Sequence, residues 1–119
     1  NEVRRKYGVQ ELTVNQSLMD AAQECSAYLY TKHNNRVECE IVAASGYPYG
    51  FGSNLTVFTI TDPERISEKA VANWENSPGH LATMIDPNCD TVGVGVTIAN
   101  GRAFCYMFVG NPTAYNPYA

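Results

Sequence analysis

Apolar residues in the first quarter of the chain repeat with the period of an α-helix. They fall at i, i+3, i+4, i+7 and i+11 and would form one stripe: Leu18, Ala21, Ala22, Cys25 and Leu29. This pattern predicts a helix from about Val14 to Tyr30. A shorter helix before it is predicted to end at Gly8. Between residues 31 and 52 we expect irregular structure, with a short helix at Ile41–Ser45.

The middle of the chain predicts one strand followed by two helices. Residues 54–60 are rich in β-branched and aromatic side chains, which favours a strand. Asp62 and Pro63 then supply an N-cap and a first-turn proline for a helix. In that helix Trp74 lies on the stripe that faces the core. The next helix follows at once, with Ser77 as its N-cap and His80 in its first turn.

The last part of the chain predicts a β-hairpin. Strands at 92–98 and 103–109 flank Asn100-Gly101, a pair that favours the two-residue turn with positive φ angles. Valine and isoleucine alternate with Gly93, Gly95 and Thr97, so one face of the first strand is bulky and the other permits close approach. The order of elements predicts an α+β domain, with helices packed on a small, mostly antiparallel sheet.

Length and charge narrow the class of protein. A chain of 119 residues is one domain, residues 1–119, and its net charge is −4. Its one basic cluster, Arg4-Arg5-Lys6, is interpreted as a solvated helix face, so we expect no nucleic-acid partner. No apolar stretch reaches the ~20 residues of a transmembrane helix. The chain begins without methionine, and we expect a mature or excised domain.

The cysteines indicate an oxidising compartment. Four are present, and none belongs to a C-x-x-C motif: Cys25, Cys39, Cys89 and Cys105. An even number in a small domain favours two disulfides. Three pairings are possible, and we favour Cys25–Cys39 with Cys89–Cys105. The alternative is four buried thiols in a reducing compartment.

Two histidines are the candidates for chemistry. A helix N-terminus disfavours the imidazolium form of His80, and a neutral ring can bind a metal or accept a proton. The alternative is a histidine that only hydrogen-bonds neighbouring loops. His33 is the other possible metal ligand, and a zinc site would need a carboxylate as well. The sequence does not choose among the candidates for it, which are Glu38, Glu40, Glu68 and Glu75.

Nucleophilic catalysis has weaker support. Ser77 is better used as a helix cap, and Ser53 lacks the surrounding G-x-S-x-G elbow. Oxidised cysteines would leave no thiol for a Cys–His pair. From the residues alone, an enzyme is therefore the less favoured class.

Several motifs, taken in order, resemble the CAP superfamily of cysteine-rich secretory, antigen 5 and group-one pathogenesis-related proteins. The motifs are Asn1-Glu-Val-Arg4, Leu12-Thr-Val-Asn-Gln-Ser-Leu18, Ser77-Pro-Gly-His80 after a Trp-bearing helix, Met84-Ile-Asp-Pro87 and Val92-Gly-Val-Gly-Val96. The compact Ser-Pro-Gly-His form resembles the bacterial members. The resemblance implies a three-layer α-β-α sandwich and an extracellular location.

The resemblance also implies a cleft with two histidines and two glutamates that bind a divalent metal, often zinc. His80 matches the second histidine, and His33 matches the first. Ser53 stands where a Gly-Glu-Asn motif would supply one glutamate, and Ser77 stands where the other often lies. The resemblance therefore predicts a partial metal site. The expected cleft residues are His33, Ser53, Asn54, Glu75 and His80.

The leading functional hypothesis is an extracellular binding or interaction module. Its ligand is expected to be a lipid or sterol, a peptide, a cell-surface partner or a weakly held divalent cation. The alternative is a peptidase-like hydrolase, with His80 as base beside Ser53 or a metal-bound water. A structural domain with a vestigial cleft is the third possibility.

Overall fold

The computed structural model describes all residues from Asn1 to Ala119. It contains five α-helices: α1 (Glu2–Lys6), α2 (Gln16–Ala27), α3 (Asn35–Ala44), α4 (Ile66–Glu75) and α5 (Pro78–Met84). It contains four strands: β1 (Thr13–Val14), β2 (Tyr49–Thr59), β3 (Thr91–Ala99) and β4 (Arg102–Tyr115). A 3-10 turn at Pro63–Arg65 precedes α4. None of the helices has the length and apolar character needed to cross a membrane.

The four strands form one sheet in the order β1-β3-β4-β2. The β3–β4 and β4–β2 pairs are antiparallel, and the two-residue β1 runs parallel to β3. Asn100 and Gly101 have φ angles of 54° and 74°, the positive values that a tight hairpin turn requires. The predicted hairpin and the small, mostly antiparallel sheet are confirmed.

Helices cover both faces of the sheet. On one face α2 and α3 enclose a core that includes Leu18, Val42 and Phe108. On the other face α4 and α5, with part of α1, enclose a second core around Trp74 and Val109. The three-layer α-β-α sandwich is therefore confirmed, as is the buried position of Trp74.

The glycines of β3 allow α2 to lie directly on the sheet. A Cβ atom at Gly93 would overlap the backbone of Leu18, and one at Gly95 would overlap the backbone of Ala22 and Gln23. No larger residue fits at either position without moving the helix. The close approach predicted from the small face of this strand is thus observed.

Residues 31–52 are more regular than the sequence predicts. The short helix expected at Ile41–Ser45 is the last part of α3, which begins at Asn35 after the Asn34 side chain accepts a hydrogen bond from the Val37 amide. Strand β2 begins at Tyr49 instead of residue 54. The glycines at the beginning of β2 hid the strand from a prediction based on β-branched residues. At Gly52 a side chain has no room, because an added Cβ would lie 2.9 Å from Cγ2 of Thr83 in α5. Helix α2 ends at Ala27, before Tyr30.

The interpretation of Arg4-Arg5-Lys6 as a solvated helix face is wrong for Arg4, although Arg5 and Lys6 are exposed. Only 2% of Arg4 is exposed. Its guanidinium donates hydrogen bonds at 2.6–3.3 Å to four backbone carbonyls, those of Gln10, Met84, Asp86 and Cys89. A fork of fixed donors can satisfy several carbonyls at once, so Arg4 joins α1 to the loop between α5 and β3.

All four cysteines are free thiols, so the two predicted disulfides are not present. Cys89 Sγ lies 3.8 Å from the carbonyl of Val109. Val109 is four residues from Cys105 along β4, which corresponds to about 13 Å along an extended strand. Disulfide formation needs Cα atoms within about 7 Å. Cys25 is buried beneath α2, whereas Cys39 lines an open cleft on the outer side of α3.

The buried thiols are poor nucleophiles. Burial is the main cause that raises the pKa of Cys25 and of Cys89 to about 12 and that of Cys105 to about 11. A thiolate is the reactive form of cysteine. These three side chains therefore serve to fill the core. For them, the alternative of buried free thiols is the one that the structure shows.

Candidate functional site

The best-organised polar cluster of the domain is a histidine–glutamate pair at the start of α3. Nδ1 of His33 lies 2.7 Å from Oε2 of Glu38. Asn34 caps α3 and fixes the direction in which the helix begins. This direction places Glu38 on the buried side of the helix with Ile41 and Val42. Only 3% of Glu38 is exposed, and its one side-chain hydrogen-bond partner is His33.

The pair favours the protonated form of His33. The hydrogen bond to Glu38 is the largest influence and raises the pKa of His33, desolvation opposes it, and the negative charge of Glu38 adds to it. Tyr106 packs edge-on against the imidazole, with ring centroids 6.4 Å apart. Nε2 of His33 makes no hydrogen bond within the protein, and about a third of the side chain is exposed. Nε2 is therefore free to bind a ligand.

Ser53 reaches the same ring atom from β2. Its Oγ lies 3.4 Å from Nδ1 of His33, the nitrogen that Glu38 already occupies. In a catalytic triad the carboxylate and the hydroxyl contact different nitrogens of the imidazole. The three side chains therefore do not form a proton relay, although they do form one polar surface.

This surface belongs to an open cleft of about 300 Å³, which we name the His33 cleft. Polar residues are the more numerous in its lining, although apolar atoms also contribute to its surface. The first turns of α3, the beginning of β2 and the C-terminal segment form the cleft. The lining residues are His33, Asn35, Glu38, Cys39, Gly50, Phe51, Ser53, Tyr115, Asn116 and Pro117. Asn116 holds the C-terminal segment in place by donating a hydrogen bond of 2.8 Å to the carbonyl of Cys39.

His80 lies on the other side of β2. Asn54 is fully buried, and its Nδ2 donates a hydrogen bond of 3.0 Å to the backbone carbonyl of His80. Neighbouring side chains along a strand project to opposite faces of the sheet. Ser53 faces His33, so Asn54 and the helix that carries His80 pack on the opposite face. Asn54 is a buried positioning residue for α5, and neither it nor His80 lines the His33 cleft.

Ser77 and Glu75 have structural roles outside the cleft. Ser77 is the N-cap residue of α5, but its side chain makes no capping hydrogen bond. Glu75 lies at the end of α4, where its Oε2 is 2.8 Å from Nζ of Lys6. The expectation that Glu75 lines the cleft is therefore corrected. Its carboxylate pairs with α1 because α4 directs its last turn toward that helix.

The donor set does not fit the metal site that the sequence resemblance implies. No three side chains of His, Cys, Asp or Glu come together in a group that could hold a metal ion. Ser53 offers a hydroxyl where a carboxylate is expected, and the Glu38 carboxylate is hydrogen-bonded to Nδ1 of His33, so it would support a metal on Nε2 only through the ring and would not be a ligand itself. His33 lies on the α3 side of β2, whereas α5, the helix that carries His80, packs on the opposite face. A structural or catalytic zinc needs three or four suitable ligands in one place, and the domain does not bring them together.

Sequence reasoning identified His33 and Ser53 and did not single out Glu38. Glu38 was one of four candidate carboxylates, and the spacing from His33 did not distinguish it. The usable signal was the Asn34 cap, because it sets the first turn of α3 and thereby turns residue 38 inward. The contributions of Phe51 and Asn116 depend on long-range contacts, which local patterns do not report.

Comparison with known proteins places this geometry in a family. The model of the CAP family, described as the cysteine-rich secretory protein family, matches residues 1–111. A search of curated protein sequences finds no match.

Several solved structures share the fold at low sequence identity. An outer surface protein from Borrelia burgdorferi has a TM-score of 0.71 and 16% identity, with 93% of this chain and 85% of that chain covered. An extracellular protein containing a SCP domain from Bacillus anthracis has a TM-score of 0.74 and 18% identity, with 93% and 37% covered. A venom allergen-like protein from Schistosoma mansoni has a TM-score of 0.72 and 15% identity, with 98% and 90% covered.

The family match covers nearly the whole chain, and the α-β-α sandwich agrees with it. The chain belongs to the CAP family.

Proposed function

We propose that this domain is an extracellular binding module, which holds a peptide segment in the His33 cleft and catalyses no reaction of its own. The observation that carries the proposal is the pair of Glu38 and His33. A buried carboxylate fixes the imidazole ring and leaves Nε2 directed to an open, polar cleft. A ring held in this way is preorganised for binding, because little side-chain freedom is lost when a ligand arrives.

The lining suits a peptide. Nε2 of His33, the Ser53 hydroxyl and the Asn35 amide can hydrogen-bond main-chain groups of a ligand. Phe51 and Tyr115 supply aromatic surface on which one apolar side chain can pack. A sterol, by contrast, offers one polar group and a large apolar body, and pockets for such molecules are mainly hydrophobic.

A sterol would fit better elsewhere in this domain. A second cavity of about 300 Å³ lies on the α4 face and is lined mostly by apolar side chains, among them Val71, Trp74 and Val94. It shares no residue with the His33 cleft. A peptide is therefore expected in the His33 cleft and a sterol in the apolar cavity on the α4 face, and a binding experiment can distinguish the two.

The hydrolase alternative has no supporting geometry. Ser53 and Glu38 share one nitrogen of His33, and the one histidine to which Ser53 hydrogen-bonds is His33. Neither histidine is placed to take a proton from Ser53 while a carboxylate orients its other nitrogen.

The names of related structures support the extracellular location. One relative is an outer surface protein and another is an extracellular protein. Three of the four thiols here are buried and carry raised pKa values, and such thiols resist oxidation outside the cell.

Panning a phage-displayed library of linear peptides on the immobilised domain tests the proposal. His33→Gln is the test variant, because glutamine can still hydrogen-bond Glu38 but presents no imidazole. Glu75→Gln is the matched control outside the cleft. We expect enriched peptides on the native domain and the control, with at least about tenfold weaker binding to His33→Gln.

The enriched peptide is then incubated with the domain and followed by mass spectrometry and by amide NMR. We expect an intact peptide and shifts at residues of the His33 cleft. Cleavage of the peptide, equal binding to His33→Gln, or no enrichment above a blank surface would each refute the proposal. Shifts confined to Val71 and Val94 would instead place the ligand in the apolar cavity.

A further inference from the structure

Strand β2 forms one edge of the sheet, and half of its backbone groups point away from the domain. The Ile60 amide donates a hydrogen bond of 2.9 Å to the carbonyl of Gly101, and the β2–β4 register continues from this pair without interruption back to Gly50. Hydrogen-bonded and non-hydrogen-bonded pairs alternate along an antiparallel ladder. The even residues of β2 therefore bond to β4. The odd residues present their N–H and C=O groups to the open edge: Phe51, Ser53, Leu55, Val57 and Thr59.

No other part of the domain uses these edge groups. The backbone hydrogen bonds outside the helices and strands include none from residues 49–59. No side chain donates to, or accepts from, the backbone of this strand. The backbone groups of the five outward positions thus have no hydrogen-bond partner within the domain. Leu55 is buried, three of the positions are half-buried, and Thr59 is exposed.

The edge also lacks the features by which proteins usually block pairing. Natural edge strands are protected by lysine and other charges, by proline, by bulges or by being short. Strand β2 has eleven residues, none charged and none proline, and its single register shift lies at the Tyr49–Gly50 end. A long unprotected edge is the structural feature that strand addition requires.

Two clefts flank this edge on opposite faces of the sheet. The His33 cleft adjoins the beginning of β2 on the α3 face. A cleft of about 330 Å³ adjoins its end on the α4 face and includes Phe58, Thr59 and four charged side chains, those of Asp62, Arg65, Glu68 and Lys69. From Phe51 to Phe58 is about 24 Å along an extended chain. Side chains of an added strand alternate between the two faces, so different residues of one peptide can reach both clefts.

We infer that the ligand is an extended peptide segment of a partner protein, which adds to the outer edge of β2 as a fifth strand. The inference rests on the proposed function and specifies how the peptide is held. Main-chain hydrogen bonds to the odd residues of β2 supply affinity. One side chain lies in the His33 cleft. Another, which is acidic, lies in the second cleft beside Lys69, which has no ion-pair partner there, whereas Arg65 already pairs with Asp62 and Glu68.

The charged cleft argues against a second copy of this chain as the occupant. In a symmetric pair β2 would add to β2, and its sequence is YGFGSNLTVFT. This strand has no charged side chain to place beside Asp62, Arg65, Glu68 and Lys69. A partner of different sequence can supply one.

The test uses the peptide enriched by panning, with N-methyl groups placed on alternate residues in two separate versions. An added strand directs every second amide to β2, so one version should lose at least about tenfold in affinity and the other should bind nearly as the parent does. On the protein side, Val57→Pro removes an outward N–H without breaking a bond to β4, and Val57→Ala controls for the side chain. Both variants are first checked for a native thermal transition.

We expect Val57→Pro to weaken binding about tenfold relative to Val57→Ala, and the amides of Phe51 to Thr59 to gain protection from exchange at alternate positions. Equal effects of the two N-methylated versions would overturn strand addition, even where Val57→Pro fails to fold. If the peptide still needs His33 in that case, the proposed function stands and this inference fails. A dimer of the free domain that Val57→Pro dissociates would also overturn it, because the occupant would then be a second copy.

Discussion

Oε2 of Glu38 and Nδ1 of His33 lie 2.7 Å apart, and this contact determines what the cleft can do. It engages Nδ1 of His33 and the Glu38 carboxylate within the protein. Nε2, the opposite ring nitrogen, makes no hydrogen bond within the protein and is the ring atom that a ligand can use. We therefore propose that an internal ion pair organises the His33 cleft for binding.

Removing the histidine should destabilise the domain. His33→Ala leaves the Glu38 carboxylate buried without a side-chain partner, and an unsatisfied buried acceptor costs about 1–3 kcal/mol. Chemical denaturation should show this loss in the free energy of unfolding. Glu40→Gln is the matched control on the same helix, because Glu40 pairs with Arg36 at the exposed surface. We expect that change to cost under about 1 kcal/mol. Equal losses in both variants would contradict a special role for the buried pair.

The stability of the domain should depend on pH through His33. The folded protein raises the pKa of this histidine above its ordinary value of 6.5, chiefly through the hydrogen bond to Glu38. The stabilisation that protonated His33 gives to the folded state is therefore fully present below about pH 6.5, the pKa of the unfolded chain, and is lost as the pH rises through the higher pKa of the folded state. Because about a third of the side chain is exposed, screening keeps the effect below about 1 kcal/mol. Unfolding curves from about pH 6 to about pH 9 should show this decline, and His33→Gln should lack it.

The cysteines should differ in reactivity. Cys39 is half-buried and lines the open cleft, whereas Cys25, Cys89 and Cys105 are buried. Burial raises the pKa of all four thiols, so accessibility is what distinguishes Cys39. A thiol reagent should modify Cys39 first in the native domain and all four thiols after denaturation. Mass spectrometry of the labelled protein reports both results. A native protein with no reactive thiol after denaturation would show that two disulfides form, contrary to the structure.

Arg4 should tolerate no conservative exchange. Lysine keeps the charge but has one nitrogen, so Arg4→Lys cannot reach all four of the carbonyls that the guanidinium satisfies. We expect a loss of about 2–4 kcal/mol in the free energy of unfolding, from unsatisfied carbonyls and lost packing. Arg5→Lys is the control, since Arg5 forms an exposed pair with Glu11. A loss of similar size at Arg5 would show that charge near α1, and not the buried fork, stabilises the domain.

Local patterns in the sequence predicted most of the architecture. The periodicity of α2, the glycines of β3 and the Asn100-Gly101 turn each report a backbone geometry set by nearby residues. Arg4 and Glu38 show where such patterns fail. Both are charged residues that would ordinarily be assigned to the surface. Arg4 is satisfied by carbonyls distant in the sequence, such as that of Met84, and Glu38 is satisfied by His33, five residues earlier.

Part of the candidate site was predicted from local motifs, and the part that depends on distant partners was not. His33 and Ser53 were identified from motif positions, and the structure brings them within 3.4 Å. The placement of His80 across β2 follows from the alternation of Ser53 and Asn54 along that strand, and the sequence alone did not show which helix packs on which face. The pairing of Glu75 with Lys6 depends on the angle of α4, which no local pattern encodes.

NMR of the histidine ring nitrogens, recorded across pH with and without equimolar zinc, tests whether the His33–Glu38 pair is internal to the protein or supports a metal. We expect Nδ1 of His33 to stay protonated and hydrogen-bonded to Glu38, the pKa of His33 to lie above its ordinary value of 6.5, and zinc to leave both histidines unchanged. Glu38→Gln should return the His33 midpoint toward 6.5. Stoichiometric zinc that binds Nε2 of His33 and shifts the His80 ring as well would show instead that the two histidines form a metal site.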